Sequence, residues 1–210
     1  MNTQQAYNEW SKQYDTDLNK TRDLEALALR ETLAEICFED CLEIGCGTGK
    51  NTEWLITKAK HVTAVDFSEE MLAKAKEKIH SDKVRFQQAD ITSGWFFVNK
   101  KFSLVSFSLV LEHIENLDAV FKETAAALAG GGHVYIGELH PFKQYSGSKA
   151  RFEAGGAQQI VPCFNHNLSD FIFAAKKCGL GLIAVNEYFD ENDRTTMPRV
   201  LVLVFRKKSS

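Results

Sequence analysis

Residues 43–51 read EIGCGTGKN, so that Gly45, Gly47 and Gly49 are separated by single residues. A short apolar run precedes this stretch, and a helical pattern follows it. Glycine allows a tight turn, and it lets a ligand approach the backbone where a Cβ atom would collide. A strand that opens through glycines into a helix therefore predicts a ligand-binding loop in an α/β fold.

An acidic residue completes this pattern. Asp66 lies 21 residues after Gly45 and follows the apolar run at residues 61–65. In a parallel sheet the carboxyl ends of the strands border the binding crevice, where a carboxylate can accept hydrogen bonds from the hydroxyls of a ribose. The glycine loop and Asp66 together predict a site for a ligand that contains adenosine.

The spacing of the glycines distinguishes between adenosine ligands. Dinucleotide-binding loops have the pattern G-x-G-x-x-G, whose last gap places a pyrophosphate at the N-terminus of the helix. This chain has G-x-G-x-G, which is one residue shorter. A Walker phosphate loop is also disfavoured, because Lys50 is followed by Asn51 and not by Ser or Thr.

Short apolar runs alternate with helical patterns from residue 41 onward, which is typical of βαβ units on a parallel sheet. The predicted strands are residues 41–44, 61–65, 83–88, 102–109, 133–138, 180–188 and 200–205. The predicted helices are residues 51–60, 69–79, 117–128 and 168–178. We therefore predict a doubly wound α/β fold with a seven-stranded, mostly parallel sheet, and we expect the glycines at 130–132 to cap the third of these helices.

The segment 139–167 interrupts this alternation. It contains Pro141, Pro162 and three glycines, and no period persists in it. A structureless loop of this length is uncommon inside a compact domain and often forms a lid or a binding element. We expect a substrate lid after the fifth strand, with a small hairpin around residues 154–157. A disordered insertion is the alternative.

The composition is that of a globular protein, with 44% hydrophobic and 25% charged residues. The net charge of −3 gives no field that attracts nucleic acid or an anionic membrane surface. The five cysteines form no CxxC pair, which disfavours a metal site and is typical of reduced thiols. The N-terminal residues do not resemble a secretory signal, and no apolar run reaches the roughly 18–20 residues that span a bilayer. We expect a soluble, cytoplasmic protein that binds neither nucleic acid nor membrane and holds no metal.

Four short motifs follow one another in the chain. They are LEIGCGTG at residues 42–49, VDFSEEML at 65–72, QADI at 88–91 and FSLVLEHI at 107–114. In these motifs the chain resembles the class I S-adenosylmethionine-dependent methyltransferases, in particular the ubiquinone-biosynthesis-like (type 11) subgroup. The resemblance covers roughly residues 7–139 well and the remainder loosely.

The resemblance implies S-adenosylmethionine as the cofactor and a small molecule as the methyl acceptor. It also implies one domain over residues 1–210, with an N-terminal helical cap (1–36), a cofactor-binding half (37–138), the lid (139–167) and a C-terminal helix with strands (168–210). The implied cofactor contacts are Gly45, Cys46, Gly47 and Gly49 in the loop, Asp66 on the ribose, Phe67, Met71, Asp90 and Ile91 around the adenine, Ser108 and Leu109 beside the sulfonium, Tyr14 in the cap, and Arg22 on the carboxylate.

Several of these residues have structural alternatives. Asp66 could belong to the N-cap region of the next helix, and Asp90 could end a strand in a turn. Tyr14 could pack in the core of an ordinary first helix, and Phe67 and Met71 could be core residues.

An oxygen or amine acceptor needs a base near neutral pH, and histidine suits this role. His113 follows the fourth predicted strand, His140 follows the fifth, and His166 lies near the end of the predicted lid. No base is required if the acceptor is already unprotonated. A nucleotide-dependent oxidoreductase of the same architecture and a non-catalytic cofactor-binding domain are the alternative functions. The acceptor and the oligomeric state are left open by the sequence.

Overall fold

The structure is a computed structural model that describes residues 2–154 and 156–209, without the side chain of Ala154. The α-helices are α1 (Thr3–Trp10), α2 (Lys20–Ala34), α3 (Thr52–Lys58), α4 (Glu69–Lys78), α5 (Leu117–Ala127), α6 (Pro141–Tyr145) and α7 (Leu168–Lys177). The strands are β1 (Asp40–Ile44), β2 (His61–Asp66), β3 (Val84–Gln88), β4 (Phe102–Ser108), β5 (Leu128–Leu139), β6 (Arg151–Ala154), β7 (Ala157–Ile160), β8 (Leu180–Tyr188) and β9 (Val200–Lys207). Short 3₁₀ helices cover Leu111–His113 and Asp190–Asn192.

Seven strands form the central sheet in the order β3-β2-β1-β4-β5-β9-β8. Strands β1 to β5 run parallel to their neighbours, whereas β9 is antiparallel to both β5 and β8. The predicted doubly wound fold with a seven-stranded, mostly parallel sheet is confirmed. The order reverses between β1 and β4, which brings the carboxyl ends of these two strands to a topological switch point.

Helices cover both faces of the sheet, and alternate residues of each strand point to opposite faces. In β9, Leu201, Leu203 and Phe205 pack in the cluster that includes α5 and α7. The intervening valines at 200, 202 and 204 pack in the cluster that includes α2 and α3. This alternation explains why the strand is apolar throughout.

The start of α4 shows how the sequence sets an element next to the crevice. The hydroxyl of Ser68 accepts a hydrogen bond from the backbone N–H of Met71 at 3.1 Å, which caps the helix. Glu69 and Glu70 follow in the first turn, where negative charge is favourable. The chain therefore turns sharply from β2 into α4 at Asp66.

One expected helix cap is wrong. Helix α5 ends at Ala127, and β5 begins at Leu128 without a left-handed glycine between them. The glycines at 130–132 lie within β5, where the register against β4 shifts between Phe102 and Leu104. They form an irregularity in the strand, because glycine fits where an extra residue bends the backbone.

Residues 139–167, where we expected a lid with a small hairpin, contain α6 and an antiparallel hairpin of β6 and β7. The predicted hairpin is confirmed for the described residues, and Gly155, which the prediction also included, lies outside them. No helix of the described residues combines the length and the apolar character needed to cross a membrane.

Candidate functional site

The carboxyl ends of β1, β2 and β4 surround a cleft with a cavity volume of about 220 Å³. It lies at the switch point of the sheet, where doubly wound proteins bind their ligands. The lining residues are Thr3, Tyr7, Tyr14, Ile44, Gly45, Gly47, Asp66, Phe67, Ala89, Asp90, Ile91, Thr92, Ser108, Leu109, Val110, His113 and Ile114.

The loop after β1 presents bare backbone to this cleft. Gly45 and Gly47 have φ angles of 71° and 53°, in the left-handed region that favours glycine. A Cβ atom at Gly45 would lie 2.2 Å from Cγ2 of Val110, so no side chain fits there. A Cβ atom at Gly47 would have Tyr14 as its neighbour at 3.9 Å, which leaves this backbone open to a ligand.

Asp66 is 8% exposed and faces the cleft from the end of β2. Its Oδ2 accepts a hydrogen bond from the backbone N–H of Gly47, and its Oδ1 accepts one from that of Ser68, both at 2.8 Å. Each oxygen keeps a second lone pair for a ligand. Burial raises the pKa of Asp66 to about 6, against the opposing effect of these hydrogen bonds. The ionised carboxylate can therefore accept from two neighbouring hydroxyl groups.

Phe67, Asp90 and Ile91 form the wall of the cleft beyond Asp66. Asp90 is exposed, and its Oδ1 accepts hydrogen bonds from the backbone N–H and the hydroxyl of Thr92 at 2.8 and 2.7 Å. Asp90 therefore lies in the turn that follows β3 and also lines the cleft. Its position is compatible with both the structural and the ligand-binding interpretation of the sequence.

Two of the predicted cofactor residues, Gly49 and Met71, line neither the cleft nor the smaller cavity beside it. A Cβ atom at Gly49 would lie 2.7 Å from Cδ1 of Ile79, so this glycine allows the loop to pack against the end of α4. Met71 is fully buried in a cluster with Trp10 and Phe152, beneath α1. The structure thus places Gly49 and Met71 in supporting positions.

A second, smaller cavity of about 40 Å³ adjoins the cleft, and we call it the side chamber. It shares Tyr14, Gly45, Gly47, Ser108 and Leu109 with the cleft. Its other lining residues are Arg22, Glu25, Glu43, Cys46, Thr48, Lys50 and Asn51. All the predicted cofactor residues except Gly49 and Met71 therefore line one cavity or both.

Tyr14 separates the cleft from the side chamber. The guanidinium of Arg22 lies over its ring at 4.6 Å from the centroid, and the ring of Trp10 meets it edge-on at 4.9 Å. Burial raises the pKa of Tyr14 to about 12, so the phenol stays protonated. Tyr14 thus packs as a core aromatic and faces both cavities.

His113 lines the cleft, and both of its ring nitrogens have partners. Nδ1 lies 2.8 Å from the carbonyl oxygen of Pro162, and Nε2 lies 2.8 Å from the hydroxyl of Tyr7. Because a carbonyl only accepts, Nδ1 carries the proton, and Nε2 accepts from Tyr7. Burial raises the pKa of Tyr7 well above its usual value, so this hydroxyl is a donor at neutral pH.

His140 and His166 line neither the cleft nor the side chamber. Nε2 of His140 lies 3.1 Å from Oε1 of Glu187, and its Nδ1 accepts from the backbone N–H of Phe142 at the start of α6. Nε2 of His166 donates to the carbonyl oxygen of Ile114 at 2.7 Å. The structure therefore brings His113 to the cleft and gives the other two histidines local hydrogen bonds.

Comparison with known proteins agrees with this geometry. A family model described as a methyltransferase domain matches residues 42–136. An uncharacterised methyltransferase of Emericella nidulans is 23% identical, over 88% of this chain and 77% of that protein. A demethylmenaquinone methyltransferase of Leptospira interrogans is 35% identical, over 43% of this chain and 39% of that protein. Residues 42–136, somewhat less than half of the chain, are thus similar to a methyltransferase domain.

The fold also recurs in solved structures. DhpI in complex with S-adenosylhomocysteine superimposes with a TM-score of 0.78 at 24% identity, covering 99% of this chain and 96% of that one. The N-methyltransferase NodS of Bradyrhizobium japonicum, also solved with S-adenosylhomocysteine, superimposes with a TM-score of 0.73 at 20% identity, covering 99% of each chain. The match to the Leptospira relative spans about two fifths of that protein's length.

The residues of the two cavities fit S-adenosylmethionine, the cofactor that the sequence resemblance implies. Asp66 offers a carboxylate to two hydroxyls in the larger cavity. In the side chamber, Nε of Arg22 and Oδ1 of Asn51 are buried without a hydrogen-bond partner among the described residues. A donor and an acceptor left open in one small cavity suit the polar end of an amino acid.

Tyr7, Glu25 and Asn51 are among the lining residues that the sequence did not identify as site candidates. Tyr7 precedes Tyr14 by seven positions and could have been found as part of one aromatic helix face with Trp10. Glu25 follows Arg22 by three positions, which places two charges on a face that is otherwise apolar. Asn51 ends the glycine loop, and nothing in its surroundings distinguishes it from a helix N-cap.

Proposed function

We propose that this chain is an S-adenosylmethionine-dependent methyltransferase, that it transfers a methyl group to a small, neutral acceptor with a hydroxyl or amino group, and that His113 removes the acceptor's proton through Tyr7. The observation that carries this proposal is the 2.8 Å hydrogen bond between the hydroxyl of Tyr7 and Nε2 of His113 at the wall of the cleft.

The proposed cofactor contacts divide between the two cavities. Asp66, Phe67, Asp90 and Ile91 line the cleft alone and would hold the adenosine part, as the resemblance implies. Arg22 and Cys46 line the side chamber alone and would hold the amino-acid part. Gly45, Gly47, Ser108, Leu109 and Tyr14 line both and would surround the sulfur.

When bound, S-adenosylmethionine supplies an electrophilic methyl group on its sulfonium. The protein has to align the acceptor with this methyl group and exclude water, and such orientation can be worth roughly 7–11 kcal/mol. Tyr7 reaches the cleft from α1, and Leu109 and Ser108 reach it from β4. Two separate elements therefore define where an acceptor can lie.

The relay from Tyr7 to His113 can take up one proton. The acceptor's hydroxyl or amine donates its proton to Oη of Tyr7, while the Tyr7 proton passes to Nε2 of His113. The resulting imidazolium keeps its bond from Nδ1 to the carbonyl of Pro162, and Oε1 of Glu112 lies 3.9 Å from Nε2 to offset the charge. We assign the base to His113 because His140 and His166 do not line the cleft.

The charge of the lining supports a neutral acceptor. The 17 residues that line the cleft include no lysine or arginine. Lys149 and Arg151 are exposed in the segment 139–167 and line neither cavity. An anionic acceptor would thus lack a counter-ion in the lining, whereas the ring of Tyr7 suits an acceptor that carries a ring.

We also propose that the segment 139–167 is a lid that holds the base. Pro162 accepts from His113, and the backbone N–H of Phe164 donates to the carbonyl of Glu112 at 2.7 Å. His166 binds the carbonyl of Ile114. Three consecutive contacts fix the 3₁₀ helix that carries His113, so movement of the lid would displace the base.

The test is a labelled-methyl assay over a panel of phenols, primary amines and carboxylic acids, followed by variants on the acceptor found. Tyr7→Phe and His113→Gln should each lower kcat by about 10²–10⁴-fold and flatten its dependence on pH near neutrality. Their Kd for S-adenosylhomocysteine should change by less than about threefold. His140→Gln is the matched control and should retain kcat.

Two outcomes would contradict the proposal. If a carboxylic acid were the sole acceptor, the proposal that the acceptor is neutral would be wrong. An unchanged pH profile in His113→Gln would mean that the acceptor reacts without this base.

A further inference from the structure

The side chamber contains two buried, oppositely charged side chains that the fold leaves apart. Arg22 and Glu25 are 9% and 2% exposed, and both line the chamber from α2. Among the described residues, neither has a partner of opposite charge within 4.0 Å. The two terminal nitrogens of Arg22 donate to the carbonyl oxygens of Tyr14 and Asp17, and Nε is left without a partner in the described part of the chain. Buried charges are costly unless they are paired, so the chamber suits a ligand with both charges.

Glu25 is held in place but keeps room for a cation. Its Oε2 accepts from Nδ2 of Asn51 at 2.9 Å, and its Oε1 accepts from the hydroxyl of Tyr135 at 3.1 Å. Each oxygen retains a second lone pair. A Cβ atom at Gly137 would lie 2.5 Å from Oε1, so the glycine in β5 provides the space for this carboxylate.

The neighbouring lysine does not neutralise Glu25. Lys50 also lines the chamber, but its ammonium is bonded to the carboxylate of Asp23. Glu43, the other acid in the chamber, accepts from the hydroxyl of Thr52 at 2.5 Å. Burial raises the pKa of Glu43 to about 8 but that of Glu25 only to about 7, so Glu25 is the more readily ionised of the two acids.

Asn51 adds an independent sign of a ligand. It is 9% exposed, and its Oδ1 is buried without a partner while its Nδ2 is used by Glu25. An unpaired buried acceptor costs about 1–3 kcal/mol, so it is expected to meet a donor when the site is filled. Arg22 supplies the complementary unpaired donor, because its Nε–H is buried without an acceptor among the described residues.

We propose that Glu25 and Asn51 bind the α-ammonium group of the cofactor's amino-acid part, opposite the α-carboxylate on Arg22. An ammonium group donates three hydrogen bonds, which matches the free lone pairs of Glu25 and the open Oδ1 of Asn51. This inference rests on the proposed division of the cofactor between the two cavities, and it assigns the charge recognition to one turn of α2.

The experiment uses the full chain and two probes that differ in one group. S-adenosylhomocysteine carries the α-ammonium, and its deaminated analogue carries hydrogen in its place. By calorimetry the wild type should bind the analogue about ten- to a hundred-fold more weakly. In Glu25→Gln the two probes should bind with affinities within about threefold of one another, because the ammonium group has lost its charged partner. The change in the protein and the change in the probe together form a double-mutant cycle.

Glu35→Gln, at the exposed end of the same helix, is the matched control and should keep the wild-type difference. 5′-Methylthioadenosine, which lacks the whole amino-acid part, should bind Glu25→Gln as well as it binds the wild type. If Glu25→Gln does not fold, the affinities of the same two probes are measured on Asn51→Ala, where the difference between them should be smaller than in the wild type. A difference between the probes that survives in the variant overturns the inference. Failure of the wild type to bind either adenosine probe would instead overturn the proposed cofactor site.

Discussion

Asp66 connects three parts of the site through one side chain. It accepts hydrogen bonds from the glycine loop at Gly47 and from the start of α4 at Ser68, and it lines the cleft. Its contact with the start of α4 and its proposed contact with a ligand are thus compatible. A substitution that removes the charge but keeps the shape separates the two effects.

We expect Asp66→Asn to weaken the binding of S-adenosylhomocysteine by about ten- to a hundred-fold, because hydrogen bonds to a charged group contribute roughly 1.5–3 kcal/mol. Asp90→Asn is the control, since Asp90 is exposed and its Oδ1 is already bonded to Thr92. It should weaken binding by less than about fivefold. Calorimetry measures the affinity of both variants for S-adenosylhomocysteine. Equal losses of affinity would contradict the expectation that the buried carboxylate of Asp66 contributes more than the exposed one of Asp90.

The residues that the sequence identified are those whose spacing is tied to a strand end. Gly45 and Gly47 follow β1 directly, and Asp66 ends β2, so the parallel sheet itself brings them together. Tyr7 and Glu25 reach the site from helices that precede the sheet. Their distance from the cleft depends on how α1 and α2 dock, which periodicity does not determine.

Helix α1 and the β6–β7 hairpin form one structural element over the cleft. The rings of Trp10 and Phe152 are stacked at 5.4 Å with an interplanar angle of 13°, and Nε2 of Gln13 donates to the carbonyl of Glu153 at 2.7 Å. Tyr7 lies on the same helix as Trp10. The hairpin therefore packs against the helix that carries Tyr7 to the cleft, although none of the described hairpin residues lines the cleft.

Phe152→Ala should speed the dissociation of S-adenosylhomocysteine by about three- to ten-fold. Truncating a buried phenylalanine costs roughly 3–5 kcal/mol, and here the loss weakens the docking of α1. Ile160→Ala in the same hairpin is the control, because Ile160 is 62% exposed. Stopped-flow displacement gives the rates. A variant that melts earlier but releases the ligand at the wild-type rate would show that the hairpin does not support the cleft.

The sequence predicted elements well where one period dominates. Strand β8 occupies residues 180–188 as predicted, since an apolar run there lies between clear turn residues. The start of β5 was missed because the three glycines at 130–132 have low strand propensity, and only pairing with β4 places them in the sheet. Helix α6 was missed because five residues are too few to show a helical period.

At the scale of the whole molecule, acidic groups accumulate beneath the cleft. Burial raises the pKa of Glu43 and Glu138 to about 8, that of Glu25 to about 7 and that of Asp66 to about 6. The sequence predicted the sheet topology that gathers these residues, but it gave no measure of their burial. Their charge state therefore follows from packing and not from the order of the residues.

A carboxyl group whose pKa is raised by folding stabilises the native state fully below its unfolded pKa, and this contribution is lost as the pH rises through the folded value. Glu25, Glu43 and Glu138 therefore destabilise the cofactor-free protein as the pH rises from about 6.5 to about 8.5. Burial lowers the pKa of His133 and His140, so their opposing contribution belongs to the range below about pH 6.5.

We expect the melting temperature of the cofactor-free protein to fall by several degrees between about pH 6.5 and about pH 8.5, as scanning calorimetry would measure. Glu138→Gln should flatten this fall, because an amide does not ionise while its oxygen can still accept from the backbone N–H groups of Val110 and Leu111. Glu115→Gln is the matched control at an exposed position and should retain the wild-type slope. A melting temperature that stays constant or rises over this range would mean that the buried carboxyl groups are neutralised by some other contact. In that case the charge of Glu25 would already be compensated, and the side chamber would not require a cation from a ligand.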